Sequence, residues 1–538
     1  MTRDTAKTRG RVVLVGAGPG APGLITWAGL EALRLADVVV YDALANAALL
    51  AQAPPDAERI DVGKRAGHHR LTQEAINALL VDKAREGGGK RVVRLKGGDP
   101  YLFGRGAEEA AHVGAAGIAC EVIPGVTSGI AAPAMAGIPV THRAHASTVT
   151  FVTGHEEAGK PGSSVDYSAL ARLIAAGGTA CFYMAMGRWD TIASALIDAG
   201  LPASTPAAAV QWGTLPQQRS ARATLAGLAA AVSQARLGPP AIVVVGAVAG
   251  MDDQTAGALN WFERRPLFGR TVLVTRSRTQ ASQLAHDLAE LGAATIEAPT
   301  IELVPPADWT AMDAAVRRLA DATYDWLVLT SGHAVAALAE RLDAAGLDAR
   351  ALGGVRIAAV GAAPAEALRQ RVGVRADLVP DRQLGAVLGQ ALVDRGEVAG
   401  KRFLLPRAGL AGRDLPTILT DAGGEVEEVA AYETRQAAAL PEDAISALEA
   451  GRVDWVTFTS SSTARHFTDL LGERREPLMR GVRTASIGPT TSATMRELGL
   501  SVDVEVQPPD PDEVGVAGAV GVAGVAGLMA AIVAAEGG

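Results

Sequence analysis

Four glycine turns in the first half of the chain stand where backbone could grip a ligand. They are Gly16-Ala17-Gly18-Pro19-Gly20-Ala21, Lys96-Gly97-Gly98-Asp99-Pro100, Ile123-Pro124-Gly125-Val126-Thr127-Ser128 and Val210-Gln211-Trp212-Gly213-Thr214. Glycine permits close backbone approach, and Asp99 can hold a hydroxyl or a cation. The bland alternative for Asp99 is a helix N-cap. The first turn formally matches G-x-G-x-x-[GA], and Asp42 follows Gly16 by 26 residues, as in a dinucleotide site whose acid holds a ribose. Pro19 and Pro22 argue against that reading. A pyrophosphate cradle points N–H groups at phosphate, and proline supplies none. An uncharged or cationic ligand fits the turn better.

Cations gather nearby. Lys64-Arg65-Ala66-Gly67-His68-His69-Arg70 is the densest run, and Arg94, Lys96, Arg105, His142 and Arg143 are candidates to join it. Taken alone the run is as well explained by a solvated loop. Read functionally, it is a site for a polycarboxylate or phosphate. The second half lacks H-E-x-x-H, a cysteine cluster and G-x-S-x-G. What recurs there is Thr and Ser after apolar runs: Thr275-Arg276, Thr330-Ser331, Thr459-Ser460-Ser461-Ser462 and Gly488-Pro489-Thr490-Thr491-Ser492. Hydroxyls and helix N-terminal amides bind carboxylates with little formal charge, although ordinary capping explains any single one.

The elements that position these residues read as α/β. Buried-strand runs occur at 11–16, 37–42, 91–95, 151–155, 180–184 and 241–248, with helical patterns between them. Residues 249–268 are polar, show no clear period and end in Arg-Arg-Pro, which predicts a domain boundary with few core contacts, Trp261 and Phe262 docking on the first half. The second half repeats itself. GRTVLVTR (269–276) matches GKRFLLPR (400–407), YDWLVLTS (324–331) matches VDWVTFTS (453–460), and VRIAAVGAAPAEAL (355–368) matches VRTASIGPTTSATM (482–495). The period is too long for a solenoid and predicts two similar lobes, with chain crossings near 301–306 and 430–436 that leave a ligand cleft between them.

Length and composition set outer limits. A chain of 538 residues suits three or four folding units. Charged residues are 20% and hydrophobic ones 49%, which excludes a mainly disordered chain. The net charge of −8 speaks against a generic nucleic-acid or anionic-membrane binder. Cys120 and Cys181 cannot build a disulfide framework, and the N-terminus has no apolar signal region, so a cytoplasmic setting is expected. Residues 514–534 could span a bilayer by length. Their Ala, Gly and Val content and the absence of basic anchors favour a weakly packed C-terminal helix or tail instead.

VGAGPG…PGLIT (15–26), ADVVVYD (36–42), VGKRAG (62–67), VVRLKGGDPYLFGRG (92–106), VIPGVTSG (122–129), GIPVTHR (137–143) and NWF (260–262) resemble uroporphyrinogen-III C-methyltransferase over 11–262. The resemblance implies the two-lobed tetrapyrrole methylase fold, S-adenosylmethionine as methyl donor without a metal, an eight-carboxylate tetrapyrrole as acceptor, and a homodimer. It implies that Pro19, Gly97, Gly98, Asp99, Leu102, Thr127, Ser128, Met184 and Gly213 contact the donor. Asp42 matches the family's proton acceptor and Lys64 its proton donor, and Arg65 and Arg105 are candidates for the substrate's carboxylates. The bland reading of Met184 is a core methionine. Ala21 stands where the family usually has Asp, so no role of that acid carries over.

GRTVLVTR, DWLVLTS, PRAG (406–409), VAAYET (429–434), DWVTFTSSST (454–463) and IGPTTSATMRELG (487–499) resemble uroporphyrinogen-III synthase over 269–507. The expected lobes are 269–303 with 436–507, and 306–430. Tyr432 matches a tyrosine that assists the leaving hydroxyl, its alternative being a hinge residue, and Thr490 and Thr491 match substrate-contacting threonines. Pro364 stands where the family often has Thr. Together the resemblances predict a bifunctional enzyme that cyclises hydroxymethylbilane to uroporphyrinogen III and methylates it twice, at C-2 and C-7, to precorrin-2, for siroheme or cobalamin. Rival readings are a nicotinamide-dependent reductase built on 11–42 and a degenerate two-lobed binding module at 269–507. A siroheme synthase with a dehydrogenase domain ahead of residue 11 is not expected, since only ten residues precede it.

Overall fold

The computed structural model describes residues 10–63, 71–154, 164–251, 257–276, 278–380, 384–408, 413–507 and 524–537. Two compact units emerge. One comprises 1–271 with 287–294 and 536–538, the other 272–286 with 295–535.

The first unit holds two five-stranded sheets. In the first sheet β1 (Arg11–Gly16), β2 (Val38–Tyr41), β3 (Glu58–Asp61), β4 (Arg91–Lys96) and β5 (Ala119–Ile123) run in the order β3-β2-β4-β1-β5, all parallel. Val12 to Val15, Val38 to Val40 and Val92 to Val93 are fully buried. Such unbroken apolar runs are what a parallel sheet covered on both faces requires. The second sheet is mixed. It contains β6 (Thr148–Thr153), β7 (Gly178–Tyr183), β8 (Pro206–Gln211), β9 (Arg219–Thr224) and β10 (Ala241–Val245) in the order β6-β7-β10-β8-β9, with only β6 and β7 parallel. The glycine turns all lie just beyond strand ends: after β1, β4, β5 and β8.

The described residues of 249–268 supply core side chains to this unit, contrary to the expectation of few contacts. Met251, Phe262 and Leu267 are buried. Glu263 accepts hydrogen bonds from Gln218 Nε2 (2.8 Å), Ser220 Oγ (3.1 Å) and Asn260 Nδ2 (2.8 Å). Trp261 departs from its expected docking and stands exposed. Its charged neighbour Arg265 packs over Phe262 instead, 4.1 Å from the ring centre. Net polarity hid three apolar anchors spaced too irregularly for any helical or strand period.

In the second unit β11 (Thr271–Val274), β12 (Ala294–Glu297), β18 (Trp455–Phe458), β19 (Arg483–Ser486) and β20 (Val504–Glu505) form one sheet in the order β12-β11-β18-β19-β20. The other sheet takes β13 (Ile301–Val304), β14 (Trp326–Leu329), β15 (Arg356–Ala359), β16 (Arg402–Ala408) and β17 (Glu425–Gln436) in the order β13-β17-β16-β14-β15. The sequence repeats are thus shared out crosswise. The first copy of GRTVLVTR pairs with the second copies of the other two motifs, and vice versa. Two chain crossings run side by side, since Ala437 donates its N–H to the Thr300 carbonyl at 3.0 Å and β13 pairs antiparallel with β17.

Pro364 is buried in the first turn of the helix Ala362–Arg371, where a missing N–H is tolerated but one anion-binding donor is lost. The C-terminal helix Val525–Gly537 buries Leu528 and Ile532 completely, one turn apart, so it is better packed than its composition suggested. Residues 508–523 of the expected tail lie outside the described residues. Among the described residues no helix is long and apolar enough to cross a membrane. Cys120 and Cys181 are both reduced, and burial pushes the Cys181 thiol up to about 12.

Candidate functional site

The first unit contains a cavity of about 470 Å³ where the four glycine turns converge. Pro19, Gly97, Gly98, Asp99, Leu102, Thr127, Ser128, Met184 and Gly213 all line it. The closeness of the turns explains the glycines. Gly18 and Gly98 exchange backbone hydrogen bonds, Gly98 N–H to Gly18 O at 2.7 Å and the return at 3.3 Å. A Cβ on Gly125 would meet the Gly98 carbonyl at 2.3 Å. One on Gly213 would lie 2.2 Å from Ala132 Cβ, in the helix Ser128–Met135.

Asp99 is no N-cap, because the next helix begins only at Gly106. Its carboxylate accepts the Tyr101 N–H at 2.8 Å and the Gly125 N–H at 3.0 Å, which binds the second turn to the third. Met184 is no core methionine. It is half exposed at the mouth of the cavity with φ 54°, a backbone conformation unfavourable for a side-chain-bearing residue. Phe103 (φ 53°) and Trp212 (φ 50°) share that conformation and also line the cavity. Strain of this kind clusters where surrounding structure holds a binding geometry in place.

The lining has no Lys, Arg or His among the described residues, and Asp99 is its one carboxylate. The amides of the first turn are engaged within the protein: Ala17 N–H donates to Lys96 O at 2.7 Å and Ala21 N–H to Thr214 Oγ1 at 3.0 Å. The site is therefore no pyrophosphate cradle, and the nicotinamide-reductase reading loses its basis. An apolar, largely uncharged wall with one acid suits a heterocycle carrying a positive group.

Sequence patterns missed Tyr183. Its hydroxyl stands 2.6 Å from Thr127 Oγ1 and accepts the Gly129 N–H at 2.8 Å. Burial pushes this phenol's pKa up against those hydrogen bonds. Leu215, Met186 and Pro240, also in the lining, carried no motif of their own.

The cation set is divided. Arg94 and Lys96 are buried instead of forming a surface patch. Glu109 Oε1, fully buried, accepts from Lys96 Nζ at 3.0 Å, Arg94 Nε at 3.3 Å and Gln73 Nε2 at 3.2 Å. Burial pushes the Lys96 pKa down, Arg94 adds to that, and Glu109 opposes it. Asp42 lies outside the cavity lining, its Oδ2 3.6 Å from Arg94 Nη2. Arg105 is exposed with φ 58°, paired to Glu108 at 2.6 Å, and borders a second hollow with Leu71, Thr72, Gln73 and Ile76. Lys64, Arg65 and the rest of the basic run to Arg70 lie outside the described residues.

In the second unit Tyr432 is half-buried on β17, opposite Ala408, just past a register shift that follows Arg407. It faces His333, with ring centres 5.6 Å apart, and packs on Ala334 and Ala337. β17 also pairs with β13 at the crossing, which places Tyr432 next to the hinge. Thr490 is exposed in the first turn of the helix Pro489–Glu497, and its carbonyl accepts from Ser461 Oγ at 3.3 Å. Thr491, beside it, is buried. Among the described residues no cluster of three or more His, Cys, Asp or Glu side chains is placed to hold a metal.

Comparison with known proteins agrees with this division. Residues 11–229 match the model of the Tetrapyrrole (Corrin/Porphyrin) Methylases, and 282–514 that of Uroporphyrinogen-III synthase HemD. A Porphyrin biosynthesis protein HemD from Ruminiclostridium josui is 36% identical over 492 residues, 91% of this chain and 94% of the relative. A Uroporphyrinogen-III C-methyltransferase from Bacillus subtilis is 44% identical over 290 residues, 54% of this chain and 58% of the relative. An S-adenosyl-L-methionine-dependent uroporphyrinogen III methyltransferase from Methanosarcina barkeri is 48% identical over 244 residues, 45% of this chain and 94% of the relative. The chain belongs to the fused tetrapyrrole-biosynthesis proteins that join a tetrapyrrole methylase to a HemD-type uroporphyrinogen-III synthase.

Proposed function

We propose that the chain is a bifunctional enzyme whose second unit cyclises hydroxymethylbilane to uroporphyrinogen III and whose first unit methylates that product at C-2 and C-7, giving precorrin-2. The observation that carries the methylase reading is the convergence of nine candidate donor-contact residues on one cavity that has no cationic side chain among the described residues. S-adenosylmethionine, when bound, supplies an electrophilic methyl group on a sulfonium. The chain's own part is positioning: Gly97, Gly98 and Gly213 allow backbone to approach, Asp99 offers its remaining lone pairs to hydroxyls, and Met184 and Trp212 close the mouth. Holding donor and acceptor in line is the main catalytic contribution for such a transfer. After carbon is methylated a proton must leave the macrocycle, and Asp42 and Lys64 are the proposed acceptor and donor.

In the synthase-like unit Tyr432 assists departure of the bilane hydroxyl, with Thr490, Thr491 and neighbouring hydroxyls as contacts for carboxylates. The first unit is proposed to form a homodimer, and the chain to act in the cytoplasm. Calorimetry of S-adenosylmethionine binding to the full chain tests the donor cavity: micromolar binding that competes with S-adenosylhomocysteine supports it, and no heat at millimolar donor defeats it.

A further inference from the structure

The repeat of the second unit has diverged at one charged position. GRTVLVTR and GKRFLLPR end on Arg276 and Arg407. Beyond β11 the helix Arg278–Glu290 leads to β12 on one side of its sheet, while beyond β18 the helix Ser461–Leu471 leads to β19 on the other. In the second sheet β16 leads through Asp414–Asp421 to β17, and β14 through Gly332–Ala344 to β15, again to opposite sides. Each sheet therefore has a point where strand order reverses, between β11 and β18 and between β16 and β14. Open parallel sheets bind ligands in the crevice beyond the carboxyl ends of the strands at such a point. Extending the register Val274↔Thr457 sets Arg276 beside Thr459, and extending Leu327↔Leu404 sets Arg407 beside Thr330.

The two arginines are in different electrostatic states. Arg407 is buried and meets Glu428 at 2.9 Å. Glu297 stands in the same relation to Arg276 by sequence, both residues being 131 positions ahead of their counterparts (276 to 407, 297 to 428). Yet Glu297 makes no ion pair with it, and no carboxylate among the described residues pairs with Arg276. Arg276 is half-buried, and burial lowers its pKa with no anion to offset the effect. A guanidinium stays charged all the same, so its desolvation is offset only when an anion arrives. The strand ends beside it are knit together: Thr275 Oγ1 donates to Thr457 O at 2.7 Å, which fixes the register that sets Thr459 next to Arg276.

We propose that Arg276 is a carboxylate-binding residue of the synthase-like unit, its guanidinium taking one side-chain carboxylate of the linear tetrapyrrole in the crevice between β11 and β18, while the matching Arg407 is occupied by Glu428. The assignment rests on the synthase reading. The planar fork of arginine matches a carboxylate in two-point fashion, which lysine does not.

The test uses the full chain with hydroxymethylbilane. R276Q is expected to raise KM about tenfold or more, with kcat changed far less, and R276K to fall between R276Q and wild type. Raised salt should weaken wild type more than R276Q. Methyl transfer to supplied uroporphyrinogen III by the same preparations should be unchanged, and a wild-type melting profile reports that the second unit is folded. Equal KM in all three proteins overturns the proposal. If R276Q does not fold, R276K decides alone, an unchanged KM overturning and a raised KM supporting. Wild type that binds hydroxymethylbilane without turnover defeats the synthase reading, and equal Kd for wild type and R276Q then overturns the Arg276 assignment. Absence of binding by wild type overturns both.

Discussion

Tyr183 Oη stands 2.6 Å from Thr127 Oγ1 and accepts the Gly129 N–H at 2.8 Å, so one phenol at the end of β7 holds the loop that follows β5. The two sheets of the first unit meet at this point, on the wall of the cavity lined by the glycine turns. Tyr183→Phe removes both hydrogen bonds and leaves a buried N–H without its partner, a cost of about 1–3 kcal/mol. The expected outcome is a lower melting temperature together with weaker S-adenosylmethionine binding. A variant with unchanged affinity would separate this phenol from the donor site.

Asp99→Ala breaks the tie between the second and third turns. The Tyr101 and Gly125 amides lose their acceptor, and donor affinity should fall roughly ten- to hundredfold, about 1–3 kcal/mol. Asp99→Asn keeps one acceptor oxygen and should lose less. Calorimetry giving the wild-type affinity for Asp99→Ala would remove this acid from the donor site.

Gly213→Ala tests packing and not chemistry. The new methyl carbon would overlap Ala132 Cβ at 2.2 Å, and the strand end cannot retreat without moving Trp212. Overpacking of this kind costs about 1–3 kcal/mol. Chemical denaturation should show the loss, and donor binding should weaken with it. A fully stable variant with normal binding would mean that the turn after β8 yields easily.

Much of this architecture is legible in residue order, and the remainder is hidden for physical reasons. β1, β2 and β10 announce themselves as unbroken Val-rich runs, and β4 (RVVRLK) as a Val pair interrupted by Arg94. β9 (RSARAT) is half exposed along its length and β8 (PAAAVQ) is half alanine, so neither shows a period or a strong apolar signal. Glu109 is written into the helix sequence GAEEAAHVGA beside an exposed Glu108, and nothing local distinguishes the fully buried acid from its neighbour. The glycine turns that line the cavity are recognisable because motif and glycine spacing agree there. Tyr183 was not, since its partners lie more than fifty residues away in the chain.

Cys181 supplies a pH-dependent signature. Burial raises its thiol pKa to about 12, whereas an exposed thiol titrates near ~8.5. The folded state holds the proton that the unfolded state releases. The contribution to stability is therefore complete below pH ~8.5 and is lost as pH climbs from there towards about 12. Alkylation at pH 8.5 should leave Cys181 unmodified in the native chain and modify it readily in denaturant. Rapid native labelling, read by peptide mass, would contradict the burial of this side chain.

The most direct measurement supplies purified chain with hydroxymethylbilane and S-adenosylmethionine and follows products by mass. The account predicts S-adenosylhomocysteine together with a cyclic tetrapyrrole bearing two added methyl groups, and uroporphyrinogen III alone when the methyl donor is left out. Only the non-enzymatic uroporphyrinogen I isomer without donor, or no methylated product with donor present, would contradict it.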